Sequence, residues 1–269
     1  MTTLPAARSG ATSGVERMPG HSVLASLGKR LLRPGGREMT KTMLDRLEIG
    51  PRDAVVELAP GLGATARLAL AREPASWIGV ERDPDAAGEV VRRVRGRRAR
   101  VVVGSAEATG IADGAASVVY GEAFLTMQAS GAKARILREV ARTLAPGGRY
   151  GFHEMAIVPD DVDESRVAEI CRDLSSSIRV GARPLTRSAW RALLEDEGLE
   201  VQFEQIVPMR LLEASQVRRD EGFWGAARIG LNLLRRPEAR RRVAAMRASF
   251  RAHRRHIAAL CLVAVKKGG

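Results

Sequence analysis

Ala54-Val55-Val56-Glu57-Leu58-Ala59-Pro60-Gly61-Leu62-Gly63-Ala64-Thr65-Ala66 is the stretch that decides the fold. A short apolar run ends in a carboxylate, breaks at Pro/Gly and resumes as Ala/Leu-rich helical sequence, so it reads as strand, tight turn and helix. Gly61 and Gly63 lack a Cβ, which lets the backbone take positive φ and lets a ligand lie against the main chain. Glu57 adds a fixed acceptor at the carboxyl end of the strand, where open α/β sheets bind their ligands.

Outward from this stretch the same alternation repeats. Candidate strands cover residues 54–58, 77–81, 99–104, 117–122, 149–155, 201–209 and 257–267, with helical patterns over 64–71, 84–95, 126–144 and 188–197 between them. Strands alternating with helices imply βαβ crossovers, hence an α/β fold: a doubly wound, seven-stranded, mostly parallel sheet. Residues 1–20, rich in Ser, Gly, Ala and Arg without periodicity, are expected to be a disordered tail. Residues 21–50 form an N-terminal helical cover, with one helix from His21 stopped by Pro34-Gly35-Gly36 and a second over Arg37 to Leu47. The remaining 51–269 form the main domain, with helical insertions at 160–184 and 210–256.

The chain has 269 residues, 45% of them hydrophobic, enough for a full core, although aromatics make up only 4%. Its net charge of +13 suits an anionic partner such as RNA, a membrane surface or a phosphorylated substrate. The excess is mostly arginine, which GC-rich coding also produces. Cys171 and Cys261 are 90 positions apart and fit no metal spacing, so both read as buried thiols of a reducing cytoplasm. With no secretory pattern and no apolar run near the ~20 residues of a membrane span, a soluble cytoplasmic protein is expected.

Four motifs in order sharpen the first stretch. Glu57-Leu58-Ala59-Pro60-Gly61-Leu62-Gly63 is followed by Glu81, 18 residues after Gly63, at the end of the second strand, and then by Gly104-Ser105-Ala106-Glu107-Ala108 after the third. A helix ending Thr143-Leu144-Ala145-Pro146-Gly147-Gly148 leads into the fifth strand. Gly61, Gly63 and Ala66 alone also fit a nicotinamide-dinucleotide turn, and Glu81 serves either reading. The ordered set resembles the class I S-adenosylmethionine-dependent methyltransferase family. The resemblance implies S-adenosyl-L-methionine as cofactor, Glu57, Gly61 and Gly63 as its cradle, Glu81 on the ribose, Glu107 near the adenine, and an antiparallel last strand.

Methyl transfer from a sulfonium mainly needs the acceptor held in line, and orientation supplies ~7–11 kcal/mol. A general base adds ~10²–10⁴ only if the acceptor must lose a proton. Candidates for the catalytic end are His153 and Glu154, which strand alternation sends to opposite faces of the fifth strand, and Glu122 at the end of the fourth. A hydrogen-bonded, purely structural His153 is an equally good reading. His253 and His256, set among arginines, read as a solvated or interface helix, and no metal site is expected.

Residues 210–256 carry thirteen arginines against four carboxylates, Glu213, Asp220, Glu221 and Glu238, leaving nine of the positive charges. Read as a lid, this insertion places Leu211, Leu212, Phe223, Trp224, Ile229, Leu231, Leu233 and Leu234 over the acceptor pocket. Other readings are a nucleic-acid surface or a basic amphipathic helix on a membrane. The lid is favoured, and with it methyl transfer to a small-molecule acceptor. Alternatives are RNA methylation through the Arg-rich surface, or a non-catalytic cofactor-binding module.

Overall fold

Eight strands form one sheet in the computed structural model, which describes residues 13–268 except 95 and 97. The strands are β1 (Ala54–Leu58), β2 (Ser76–Glu81), β3 (Ala99–Val103), β4 (Ala116–Glu122), β5 (Leu144–Ile157), β6 (Leu185–Thr186), β7 (Leu199–Pro208) and β8 (Ile257–Lys266). Their order is β3-β2-β1-β4-β5-β8-β7, with two-residue β6 added beside β5. The strands from β3 to β5 pair in parallel, while β8 is antiparallel to both β5 and β7. The sequence count of seven is met by the main strands, and the antiparallel last strand is as expected. Between β1 and β4 the strand order reverses, which opens a crevice at their carboxyl ends.

Helices cover both faces, as period-2 strands with two apolar sides demand. The helices α3 (Gly36–Arg46), α4 (Ala64–Leu70) and α5 (Pro84–Arg93) bury Met43, Leu44, Ala66, Ala69 and Val90 against one face. On the other, α6 (Ser130–Thr143) and α8 (Arg187–Glu195) bury Ile136, Leu137, Val140, Trp190 and Leu194. A third cluster joins α2 (Gly20–Ser26), α9 (Ala214–Arg235) and α10 (Pro237–Ala252) through Val23, Leu24, Leu27, Ile229, Val243 and Met246. Between β5 and β6 lies α7 (Glu164–Ile178), which packs on α10.

Three boundaries differ from the sequence reading. Helix α1 (Ser13–Arg17) lies within the stretch expected to be disordered, and residues 1–12 of that stretch fall outside the described residues. Helix α2 ends at Ser26, well short of Pro34, with Gly28 at φ +100°. Its terminal carbonyls are taken by α9: Arg236 donates to Ser26 O (3.2 Å), Asn232 to Leu27 O (3.0 Å) and Arg228 to Gly28 O (3.4 Å). Cations at a helix C-terminus favour ending it there. The segment after α2 is thereby freed to cross the carboxyl ends of the strands. Finally, β5 begins at Leu144, and the Pro146-Gly147-Gly148 turn is a bulge between the pairs Ala116–Leu144 and Val118–Arg149.

Candidate functional site

The glycine turn has the backbone its sequence asks for. Gly61 and Gly63 sit at φ +56° and +66°, and Ala59 joins them at +51°. A Cβ on Gly61 would meet nothing closer than Ala59 O at 3.9 Å, so the turn faces open space. Glu81 ties the turn to the end of β2: one carboxylate oxygen accepts from Gly61 N (3.1 Å), the other from Arg82 N (2.9 Å) and Asp83 N (3.2 Å). Glu107 stands at the rim, a third exposed, with its carboxylate paired to Arg135. An exposed pair of this kind is worth ~0–1 kcal/mol, so it yields easily to a competing hydrogen bond.

Glu57 is turned into the sheet and accepts from Tyr120 Oη (2.6 Å), which in turn accepts from Trp77 Nε1 (3.2 Å). The chain crosses β1, β4 and β2 because the three residues share one face. Burial pushes the Glu57 carboxyl up to about 8, against the opposing pull of Tyr120 and Arg33. Its folded value lies above the unfolded one, so it favours folding at low pH and this contribution is lost as pH rises through about 8. Glu57→Gln is therefore expected to stabilise the protein by roughly 2 kcal/mol at pH 9 and to change little at pH 5. Denaturant melts at the two pH values check this; equal effects at both would remove Glu57 as the source.

Glu122 is the hub of the site. Thr40 Oγ1 and Thr65 Oγ1 each donate to its carboxylate at 2.6 Å, Arg33 Nε lies 2.9 Å away, and His153 Nδ1 lies at 3.1 Å. Burial alone would raise its pKa, but Arg33, His153 and Thr40 outweigh it and hold the carboxyl down at about 2. His153 is fully buried, and its Nε2 accepts from Gly35 N at 2.8 Å. Nε2 therefore carries the lone pair, and the Nδ1 proton points at Glu122. With both nitrogens engaged, His153 is a strut between β5 and the crossing segment rather than a free base. Gly35 is required there: a Cβ would sit 2.6 Å from Met39 Sδ and 3.0 Å from His153 Nε2.

Glu154 is also spoken for, on the opposite side of β5. It accepts from Phe124 N (2.7 Å), Leu125 N (2.7 Å), Thr126 N (3.1 Å) and Thr126 Oγ1 (2.6 Å), capping the 3₁₀ turn Leu125–Met127. Burial pushes its carboxyl up from the ordinary range and the four donors oppose the shift. The alternation expected for His153 and Glu154 is present, but each serves the scaffold in this arrangement.

Beside these groups is a cavity of about 110 Å³. Its walls are Leu24, Leu32, Met127, Met155, Met209, Leu211, Leu212, Met246 and Phe250, with Ala123 and Thr126 from the turn after β4, Glu154 from β5, and His21 the one imidazole among the described residues that line it. His21 is exposed on its outer side, and partial desolvation where its ring meets the cavity wall lowers its pKa. Sequence reasoning did not single out His21, Arg33, Thr40 or Thr65. Only Thr65, inside the first motif, carried a local signal.

The lid residues divide. Leu211 and Leu212 reach the cavity and Ile229 is buried, whereas Phe223, Trp224, Leu231 and Leu234 are exposed. Gly222, at φ +75°, breaks α9 and turns its second half so that these four point outward. His253 is buried and paired to Asp173 at 2.8 Å, and His256 contacts Val158 O at 3.3 Å, so the pair is not a solvated helix. Cys261 is buried and Cys171 only partly so; both are free. Among the described residues no group of three His, Cys, Asp or Glu is arranged to hold a metal, and no helix is long and apolar enough to cross a membrane.

Residues 55–148 match a family model described as a methyltransferase domain. A Haemophilus influenzae relative described as an uncharacterized protein is 29% identical over 249 residues, spanning 90% of this chain and 96% of the relative. Among solved structures, a geranyl diphosphate methyltransferase in complex with S-adenosylmethionine superposes with TM-score 0.62 at 17% identity, covering 85% of this chain and 84% of that one. A Haemonchus contortus phosphoethanolamine N-methyltransferase bound to S-adenosylhomocysteine gives 0.70 at 14% identity, covering 96% and 58%. At such identities the likeness is one of fold.

Proposed function

We propose that this class I S-adenosylmethionine-dependent methyltransferase transfers its methyl group to a small apolar molecule in the cytoplasm. The observation that carries the acceptor class is the Leu/Met/Phe cavity next to the end of β4, whose wall holds no arginine. The free state of both cysteines is in keeping with the compartment. At about 110 Å³ the cavity is below the ~300 Å³ of ordinary ligand pockets. It suits a small acceptor, or the apolar end of a larger one, with four methionines able to yield around it.

The cofactor supplies an electrophilic methyl on a sulfonium; the chain supplies position. In this reading Gly61 and Gly63 let it lie on the backbone, Glu81 accepts from the ribose hydroxyls, Glu107 meets the adenine edge, and Glu57 terminates β1 beneath it. Glu122 and His153 hold Arg33 and Gly35 across the strand ends, closing the crevice against water. Glu154 fixes the turn that brings Ala123, Thr126 and Met127 to the cavity. With the lone pair of His153 already engaged, a proton lost by the acceptor passes to His21 at the cavity wall. His21→Ala is expected to lower kcat by ~10²–10⁴ with little change in KM; an unchanged kcat takes His21 out of the mechanism.

The test is release of S-adenosylhomocysteine on incubation with a panel of small apolar amines, phenols and carboxylic acids. Turnover on at least one of these, blocked by Met246→Arg in the cavity wall, is the expected outcome. Methyl incorporation into RNA with none into the panel would replace this reading by the nucleic-acid one. Cofactor binding with no turnover on either would leave a cofactor-binding module.

A further inference from the structure

The outward face of α9 and α10 is unlike the rest of the surface. Beyond the Gly222 break, Phe223 is 67% exposed, Trp224 82%, Leu231 46% and Leu234 71%, while Ala226, Ile229 and Leu233 turn inward. Residues 223, 227, 231 and 234 share one helical face, so the exposed apolar groups form a stripe rather than scattered points. Phe223 and Trp224 meet edge to face at 5.3 Å at its end. Beside it on α10 is a groove of about 280 Å³ lined by Arg240, Arg247 and Arg251 over a floor of Leu233, Val243 and Ala248.

The charge around this face is one-sided. Among the described residues, five of the thirteen arginines in 210–256 donate side-chain hydrogen bonds within the protein: Arg219, Arg228, Arg236, Arg242 and Arg247. The other eight are exposed. Of the four carboxylates in the segment, Asp220 and Glu221 are buried under the crossing segment, where they take Lys29, Arg30, Leu31 and Arg37. Only Glu213 and Glu238 remain near the surface to offset the cations. An apolar stripe with aromatic groups at one end and unneutralised arginines beside it has the chemistry of a helix lying in a lipid headgroup layer.

We propose that α9 and α10 dock on an anionic phospholipid surface, with Phe223 and Trp224 entering the interface and Arg240 and Arg251 meeting headgroup phosphates. Helix α10 also carries Met246 and Phe250 on the cavity wall. One helix thus faces lipid on its outer side and the acceptor cavity on its inner side, a short route for an apolar molecule dissolved in the bilayer. Docking needs neither cofactor nor methyl transfer, so it stands or falls apart from the proposed reaction.

The full chain reports on this directly. Trp77 and Trp190 are fully buried, so a change in tryptophan emission on vesicle addition comes chiefly from Trp224. Vesicles of phosphatidylcholine containing phosphatidylglycerol are expected to sediment the protein and shift its emission to the blue, reversibly with salt; phosphatidylcholine alone is expected to do neither. Arg240→Ala with Arg251→Ala should weaken binding about twenty-five-fold, at about fivefold per arginine. Phe223→Ser with Trp224→Ser should abolish co-sedimentation at physiological salt, and unchanged circular-dichroism melts of both variants show that the fold survives. The proposal is overturned if anionic vesicles at low salt leave the protein in the supernatant, or if both variants bind as the parent does. It is equally overturned if the same face binds an RNA oligonucleotide or a second copy of the chain while vesicles are ignored.

Discussion

Glu122→Gln is expected to lower stability by about 3–5 kcal/mol, because it leaves the nearly buried Arg33 guanidinium without its counter-charge. For a chain of this size that corresponds to a drop of roughly 6–20 °C in Tm. The cause can be separated from a general packing defect. Arg33→Met alone leaves Glu122 buried and uncompensated, whereas the double variant removes both charges, so it should be more stable than the sum of the two single losses allows. Strict additivity would mean that Arg33 and Glu122 do not act as a pair. The pH dependence has a definite sign as well. Glu122 is held at about 2 in the fold against 4.5 as its ordinary value, so its contribution is complete above about pH 4.5 and fades as pH falls towards 2. Glu122→Gln should flatten that acid limb.

Glu81→Ala is expected to weaken S-adenosylmethionine binding by about 100-fold or more. A hydrogen bond to a charged group contributes ~1.5–3 kcal/mol, and in the proposed reading the ribose offers two hydroxyls. The substitution also frees Gly61 N, which Glu81 now holds at 3.1 Å, so the turn loses an anchor. Glu81→Gln separates these roles, since it can still accept from the turn while giving up the charge. It should bind more weakly than the parent chain and more tightly than the alanine variant. Equal affinity in all three, by calorimetry, would move the ribose contact away from Glu81.

The strand ends were legible because their signals are local. Ala54 to Ala66 is a strand, a turn and the start of a helix in thirteen residues, and Glu81 follows one crossover later. The network around Glu122 was not legible, because its partners Arg33 and Thr40 reach it from some eighty or more positions away. His153 could have been paired with Glu122 from the register of two parallel neighbours, in which the two residues lie side by side. The early end of α2 depends on Asn232 and Arg236, more than 200 positions distant, and no window of sequence contains both the helix and its caps. The outward turn of Trp224 had one available sign, a glycine at position 222 inside a helical run, which marks a break as readily as a packing contact.

The central claim is that the glycine turn and the Glu81 carboxylate at the end of β2 hold S-adenosylmethionine. Isothermal titration of the purified protein with S-adenosylhomocysteine tests it most directly. One site per chain, strongly weakened by Glu81→Ala and by Gly61→Val, which would place a side chain in the open cradle at φ +56°, is the expected result. No heat of binding from either S-adenosylmethionine or S-adenosylhomocysteine, or binding that both substitutions leave intact, would contradict it.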